Sequence, residues 1–296
     1  MSITGEVHPP TALRRAFGKH GADLHLHSIY SDGVHTPNWL VSKAVHAGLD
    51  CIALTDHDTV EGCEETATLC EKTGMGFIPG VELTAYALDE EIHILGFGLD
   101  IRNAVFLEKM SAFQEKRLER MKKMVSLLNR EGIPISLEEV LEIAKCKVPG
   151  RMHLCRALLL GEYCRDRDEV FARYLGDGCA AYVPKMNFSV REAIRLIHTA
   201  GGAALMAHVG RQVKVPAIVE YGVEVGIDGF ECFYPRHSKS LCERLVAVCE
   251  EYHLLVSGGT DYHGVKDRVN IGAVKVPMKY VEELKQWDCS KNSKKG

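Results

Sequence analysis

Asp23-Leu24-His25-Leu26-His27, with Asp32 five residues further on, places two imidazoles and a carboxylate within one short span. Residues i and i+2 of a strand project from the same face. His25 and His27 can therefore both reach one metal ion, with the carboxylate of the next turn close by. Taken alone, a His-x-His strand is equally well a half-buried strand whose imidazoles are satisfied by hydrogen bonds. What decides between the two lies further along the chain.

The first strand, near Ala22 to His27, runs into the polar loop Ser28-Ile29-Tyr30-Ser31-Asp32-Gly33, and Thr36-Pro37 then supplies an N-cap and a first helical residue. That helix ends at Gly48. Cys51-Ile52-Ala53-Leu54-Thr55 is a continuous apolar run ending in Asp56-His57-Asp58-Thr59, the pattern of a buried parallel strand with polar residues at its C-terminal end. A helix from about Val60 to Lys72 stops at Gly74, Phe77 to Val81 ends at Glu82, and Ile92 to Phe97 is a further strand carrying His93. This alternation predicts a parallel (β/α) barrel or a doubly wound sheet. In a barrel, the rim where strands meet their following loops is the catalytic face.

Between Leu99 and Pro184 the rhythm is helical only. Ala104 to Arg130 has apolar residues at helical spacing and ends at Gly132, while Ser136 and Glu139 form a capping box for the next helix. Pro149-Gly150 and the glycines at 161, 176 and 178 divide the remainder. The α/β rhythm then resumes with a second capping box at Ser189 and Glu192 and a strand Ala203 to Ala207 ending at His208. A strand ending near Glu231, a helix from about Ser238 to Tyr252, and Leu254 to Ser257 running into Gly258-Gly259-Thr260-Asp261-Tyr262-His263 complete it. The expected organisation is an irregular lead-in at 1–20, a discontinuous catalytic barrel at 21–99 and 185–287, a helical insertion or cap at 100–184, and a disordered tail at 288–296.

The composition is that of a soluble chain able to fill a core, with 46% hydrophobic residues in 296. Lys and Arg number 36 against 40 Asp and Glu, a net charge of -4, which argues against a dedicated surface for long nucleic acids but allows a short anionic substrate. Eleven cysteines occur without a C-x-x-C pair and without a preceding N-terminal apolar segment, so reduced thiols in the cytoplasm are expected. No 18-residue apolar run predicts a membrane span, and no obligate protein partner is evident.

His25, His27, Asp32, His57, Glu82, His93, His208, Asp261 and His263 all fall at or just beyond a predicted strand end. Nine such groups converging on one rim would be costly to bury without partners, and a multinuclear metal centre supplies them. Nitrogen and oxygen donors without thiolate suit manganese, iron or zinc. Asp23 and Asp56, adjacent to ligand candidates, are candidates for orienting them, or equally for capping strand ends and turns.

Asp-Leu-His-Leu-His at 23–27, Ser-Asp-Gly at 31–33, Thr-Asp-His-Asp at 55–58, Gly-Val-Glu at 80–82, His-Ile-Leu-Gly at 93–96, Ala-His at 207–208 and Thr-Asp-Tyr-His at 260–263 together resemble the PHP (polymerase and histidinol phosphatase) family of metal-dependent phosphoesterases. The resemblance implies a distorted (β/α)7 barrel with a centre of two to three divalent ions. One metal would take His25, His27, Glu82 and Asp261, a second Glu82, His93 and His208, and a third Asp32, His57 and His263. Asp in place of His at position 32, and a helical insertion after His-Ile-Leu-Gly, are similar to the branch of small nucleotide phosphatases and 5'-3' exoribonucleases.

Metals of this kind lower the pKa of a bound water, so the expected reaction is attack on phosphorus by a metal-bridging hydroxide. Arg151 resembles the arginine of a Ser-Arg-Thr-His segment that holds the non-reacting phosphate in relatives, with Lys185 and Arg211 as further clamp candidates; each is otherwise a solvated cation. His237, in a loop past a strand end, is the candidate general acid, or otherwise a surface histidine. The expected activity is removal of the 3'-phosphate from a nucleoside 3',5'-bisphosphate. The alternatives are stepwise 5'-3' trimming of short 5'-phosphorylated RNA, opening and hydrolysis of a cyclic sugar phosphate, and a non-catalytic PHP module.

Overall fold

In the computed structural model, residues 20–185, 188–264 and 269–288 are described. The expected lead-in, apart from His20, and the expected tail, apart from Asp288, lie outside them. Seven strands run in sequence order around one sheet: β1 (Ala22–Asp23), β2 (Cys51–Leu54), β3 (Gly76–Ala87), β4 (Glu90–Phe97), β5 (Ala203–Met206), β6 (Gly229–Phe233) and β7 (Leu255–Gly258). The two edges meet. Leu24 N–H donates to Gly258 O at 3.0 Å and His27 N–H to Tyr262 O at 3.0 Å, so the His-x-His segment is the seam that closes the barrel.

The expected all-parallel pattern fails at one strand. β4 is antiparallel to both β3 and β5, whereas the other neighbours are parallel. Its cause is a two-residue hairpin, Leu88-Asp89, whose φ angles are both positive (53° and 64°), the primed geometry that matches strand twist. Neither residue is the Gly or Asn that announces such a turn. Eight paired positions between β3 and β4 hold it. The reversal explains why His93 lies toward the N-terminal end of its strand, opposite Thr84, yet belongs to the same rim as residues at the C-terminal ends of the parallel strands.

Helices cover the barrel: α1 (Pro37–His46) and α2 (Cys63–Thr73) before β3, then α7 (Val190–Thr199), α8 (Val215–Glu224), α9 (Lys239–Tyr252) and α10 (Met278–Gln286). Between β4 and β5 come α3 (Ala104–Arg130), α4 (Leu137–Ala144), α5 (Arg151–Leu160) and the short α6 (Arg167–Val170), which continues as a π turn through Leu175. Both capping boxes form, at Ser136/Glu139 and Ser189/Glu192. The long α3 is shared between two cores. Phe106, Met110 and Phe113 pack in the barrel cluster, whereas Met121, Met124 and Leu128 join Leu154, Leu158 and Leu175 in a second one. No described helix is long and apolar enough to cross a membrane, and none of the ten described cysteines is in a disulfide.

Candidate metal centre

Glu82, in the middle of β3, is fully buried, and five imidazoles surround it. Its Oε2 stands 3.4 Å from His25 Nε2, 3.1 Å from His27 Nε2 and 3.1 Å from His57 Nδ1, and its Oε1 stands 2.9 Å from His93 Nδ1 and 3.1 Å from His208 Nε2. Asp261 Oδ1 joins the first group at 3.4 Å from His25 and 3.3 Å from His27, whose Nε2 atoms are themselves 3.1 Å apart. Donor atoms about 2.0–2.2 Å from a common centre stand about 3.0–3.5 Å apart at tetrahedral or octahedral angles. The observed separations are those of a ligand shell.

Orphaned oxygens point the same way. Asp32 Oδ1, Glu82 Oε2 and Asp261 Oδ1 are buried without a hydrogen-bond partner, which a carboxylate tolerates only beside cationic groups. Three clusters of donor atoms fit an ion: His25, His27, Glu82 and Asp261; His57, Glu82 and His93; and His27, Asp32, His57 and His263. The first matches the expected set. The third contains the expected Asp32, His57 and His263 with His27 added, whereas the second has His57 where His208 was expected; His57 presents Nδ1 to Glu82 and Nε2 to Asp32 at 3.9 Å and so stands between the two groups. His208 reaches the centre through Glu82 Oε1.

Burial alone would raise the Glu82 carboxyl, but His57, His93 and His25 outweigh it and hold it well below the usual carboxylate range. Burial opposes charge on His93, yet Glu82 and Glu91 lift it to about 9; burial likewise opposes charge on His263, which Asp32 and Asp261 lift to about 10. In the metal-free chain both rings are therefore protonated at pH 7. Imidazolium must lose its proton to ligate, so metal loading at pH 7 is expected to release about two protons from this pair. Calorimetric titrations in buffers of different ionisation enthalpy measure the release, and a buffer-independent heat at pH 7 would contradict it. Because both pKa values rise on folding from the ordinary 6.5, their stabilisation of metal-free protein is complete below about pH 6.5 and lost as pH climbs through 9 to 10.

Asp23 and Asp56 hold loops rather than imidazoles. Asp23 accepts from the Thr260 backbone (2.9 Å) and hydroxyl (2.7 Å) and from Gly272 N (3.0 Å), fastening the segment that presents Asp261; burial pushes its carboxyl up to about 6. Asp56 accepts from Ser28 N (2.7 Å), Ser28 Oγ (2.6 Å) and Ser31 Oγ, fastening the loop that presents Asp32. Gly33 is required in that loop, because a Cβ there would stand 2.3 Å from His27 O.

Two glutamates missing from the expected set hold the far nitrogens of ligand candidates. His25 Nδ1 lies 2.9 Å from Glu231 Oε1, whose Oε2 also accepts from His208 N at 2.6 Å; His93 Nε2 lies 2.9 Å from Glu91 Oε1. A charged residue inside the buried run Gly229-Phe230-Glu231-Cys232-Phe233 is the signal that pointed to the first, and the Glu-x-His spacing of 91 and 93 to the second.

The centre floors a cavity of about 1020 Å³. Leu159, Leu160 and Met152 of α5 form an apolar wall, and Arg156, Arg165, Arg167, Arg211 and Arg236 are among the other lining residues. Of the three expected clamp residues, only Arg211 lines it, with Nη1 3.3 Å from Asp261 Oδ2. Arg151 is turned away, bonded to Asp177 (3.1 Å) and Leu175 O (3.3 Å), and Lys185 Nζ is 2.7 Å from Glu91. Arg151 opens a helix as expected, but Arg156 is the arginine of that helix that lines the cavity. It lies five residues along the same helix, about 140° around, and bonds Asp32 O. His237 is also placed differently from a general acid: Nδ1–H donates to Cys232 O and Nε2 accepts from Gly210 N–H, both at 3.0 Å, so neither nitrogen is left for substrate.

Residues 23–181 match the PHP domain family. The chain is 32% identical to the 5'-3' exoribonuclease Rnm of Escherichia coli, with 81% of this chain and 84% of that one covered, and 30% identical to a 3',5'-nucleoside bisphosphate phosphatase of Chromobacterium violaceum, with 81% and 86% covered. A phosphoribosyl 1,2-cyclic phosphate 1,2-diphosphodiesterase of Eggerthella lenta is 29% identical, with 86% and 98% covered. A solved structure of a metal-dependent phosphoesterase from Bifidobacterium adolescentis superposes with a TM-score of 0.82 at 30% identity, covering 93% of this chain and 96% of that one. With its ring of histidines and carboxylates at the rim of a seven-stranded barrel, the chain belongs to the PHP domain family and is a metal-dependent phosphoester hydrolase.

Proposed function

We propose that the enzyme removes the 3'-phosphate from a nucleoside 3',5'-bisphosphate, leaving the 5'-monophosphate. The observation that carries this reading is the lining of the cavity, which brings donor groups of the metal-ligand cluster together with Arg156, Arg165, Arg167, Arg211 and Arg236. Guanidinium groups bind a second phosphate bidentately. The proposed metal ligands are His25, His27, Asp32, His57, Glu82, His93, His208, Asp261 and His263, holding two to three divalent ions of manganese, iron or zinc. Such ions supply a water of near-neutral pKa and neutralise charge on the leaving oxygen. Around them the chain's own residues orient the substrate: Arg156 and Arg211 take the non-reacting phosphate, and the apolar wall of α5 covers the nucleoside.

A second reading, 5'-3' trimming of short 5'-phosphorylated RNA, is favoured by the size of the cavity. At about 1020 Å³ it lies at the upper end of the range of roughly 300–1,000 Å³ typical of small-molecule sites. The test compares turnover of adenosine 3',5'-bisphosphate, a 5'-phosphorylated tetranucleotide, the same tetranucleotide with a 5'-hydroxyl, and histidinol phosphate. The bisphosphate is expected to be turned over best, and loss of the 5'-phosphate to lower kcat/KM of the tetranucleotide about 10- to 100-fold, the value of a charge-assisted clamp. Failure on both 5'-phosphorylated substrates, or indifference to the 5'-phosphate, would sink the proposal.

A further inference from the structure

Glu91 and His93 lie two apart on β4 and so share a face of the strand. His93 presents Nδ1 to Glu82, and its other nitrogen, Nε2, meets Glu91 Oε1 at 2.9 Å. A carboxylate on that side fixes the hydrogen on Nε2 and leaves the Nδ1 lone pair for a metal, the arrangement by which outer carboxylates set the tautomer and orientation of a ligating imidazole. Glu91 is itself held from several directions. Lys185 Nζ lies 2.7 Å from Oε1, Tyr86 OH donates to Oε2 at 3.2 Å, and Arg151 Nη2 stands 3.9 Å from Oε2. Gln212 Nε2 holds its backbone carbonyl at 3.1 Å.

Neither Arg151 nor Lys185 lines the cavity. Arg151 is further anchored by Asp177 and Leu175 O and lies beside the rings of Phe171 and Tyr182. Their side chains are only about one fifth exposed, and both face the same carboxylate, Lys185 in hydrogen-bond contact and Arg151 at longer range. Two cations placed for a substrate phosphate would face the cavity, whereas two cations placed to keep a glutamate charged and immobile would be arranged as these are.

We propose that Glu91 is a positioning residue for His93, and that Arg151 and Lys185 act through Glu91 on the metal centre instead of on the substrate. The proposal rests on His93 being a metal ligand. It links the helices between β4 and β5 to the barrel rim: Arg151, at the first turn of α5, sets the carboxylate that sets the imidazole.

The experiment measures metal affinity by competition with a chromogenic chelator, together with kcat and KM on adenosine 3',5'-bisphosphate, for Glu91→Gln, Arg151→Met and Lys185→Met. Glu91→Gln is expected to weaken one ion's affinity about 10- to 100-fold, the usual cost of losing such an outer partner, with kcat restored by excess metal and KM little changed. Arg151→Met and Lys185→Met should move metal affinity in the same direction by less, again without raising KM. Glu91→Asp, which keeps the charge, should recover part of the affinity. Wild-type metal affinity in Glu91→Gln would overturn the proposal, as would a tenfold rise in KM with unchanged metal affinity in either cation variant. Thermal melting with chelator present completes the test: a midpoint that falls in Glu91→Gln as far without metal as with it would reduce the residue to a structural one and also overturn it. If neither nucleotide substrate is turned over, the metal-affinity arms still decide this proposal, so its failure is distinguishable from failure of the functional reading.

Discussion

Glu82→Gln is expected to abolish the activity, lowering kcat by on the order of 10³-fold or more, and to remove more than one metal ion per chain. Both carboxylate oxygens are committed: Oε2 faces His25, His27 and His57, and Oε1 faces His93 and His208. A glutamine of the same shape replaces one of these oxygens by an amide nitrogen, which cannot ligate, and removes the negative charge that two of the three donor clusters share. Metal ions contribute several kcal/mol of charge stabilisation in phosphoryl transfer, and about 4 kcal/mol corresponds to 10³ in rate. Conserved shape separates this loss from unfolding. The barrel core around β3 and β4 is apolar, so Glu82→Gln should keep its secondary structure while metal analysis shows the deficit. A variant that retained its full metal content, or activity within tenfold of the parent, would refute a shared ligand at position 82.

Much of this centre is legible in the sequence because strand ends advertise themselves. A continuous apolar run such as Cys51 to Leu54 that breaks into Asp56-His57-Asp58 places its polar residues at a rim, whatever the closing geometry of the sheet. The period of 2 does the same for His25 and His27, and in the structure the pair lies at the seam of the barrel. Direction was not legible. Leu88-Asp89 makes a primed turn although leucine rarely adopts positive φ, because the β3–β4 ladder outweighs that local preference; Asp89 alone is too common a residue to announce it. Helix faces were the second blind spot. Arg151 carries the sequence resemblance, but which of Arg151 and Arg156 turns toward the cavity depends on how α5 rotates against its neighbours, and Arg156 is the one that does. Charges that act through another charge were the third. Glu91 and Glu231 look like any acidic residue until the imidazole beside each is known.

Arg117 and Asp58 form the ion pair whose disruption should cost the fold most. Arg117 comes from the middle of α3 and Asp58 from the loop after β2, and their side chains are only 16% and 7% exposed. Asp58 Oδ2 accepts from Arg117 Nε at 2.7 Å and Oδ1 from Thr84 N at 3.3 Å, while its own backbone N–H donates to Glu82 O at 3.0 Å. Burial works against the charge on Arg117, and Asp58 more than compensates. Removing one partner of such a pair leaves the other buried and uncompensated, at about 3–5 kcal/mol. Relief of repulsion offsets a part, since burial, with Arg151 and Arg117 adding to it, pushes Arg120 down to about 10. Arg117→Met is therefore expected to destabilise by about 3 kcal/mol, a fall in thermal midpoint on the order of 10 °C. Asp58→Asn, which leaves a buried guanidinium amid other cations, should cost more. Combining Arg117→Met with Asp58→Asn should cost less than the two single losses added together, because residues in contact do not act independently. Strict additivity of the two would mean that the pair does not stabilise the fold as a pair, and that α3 is held to the barrel by its apolar face alone, through Phe106, Met110 and Phe113.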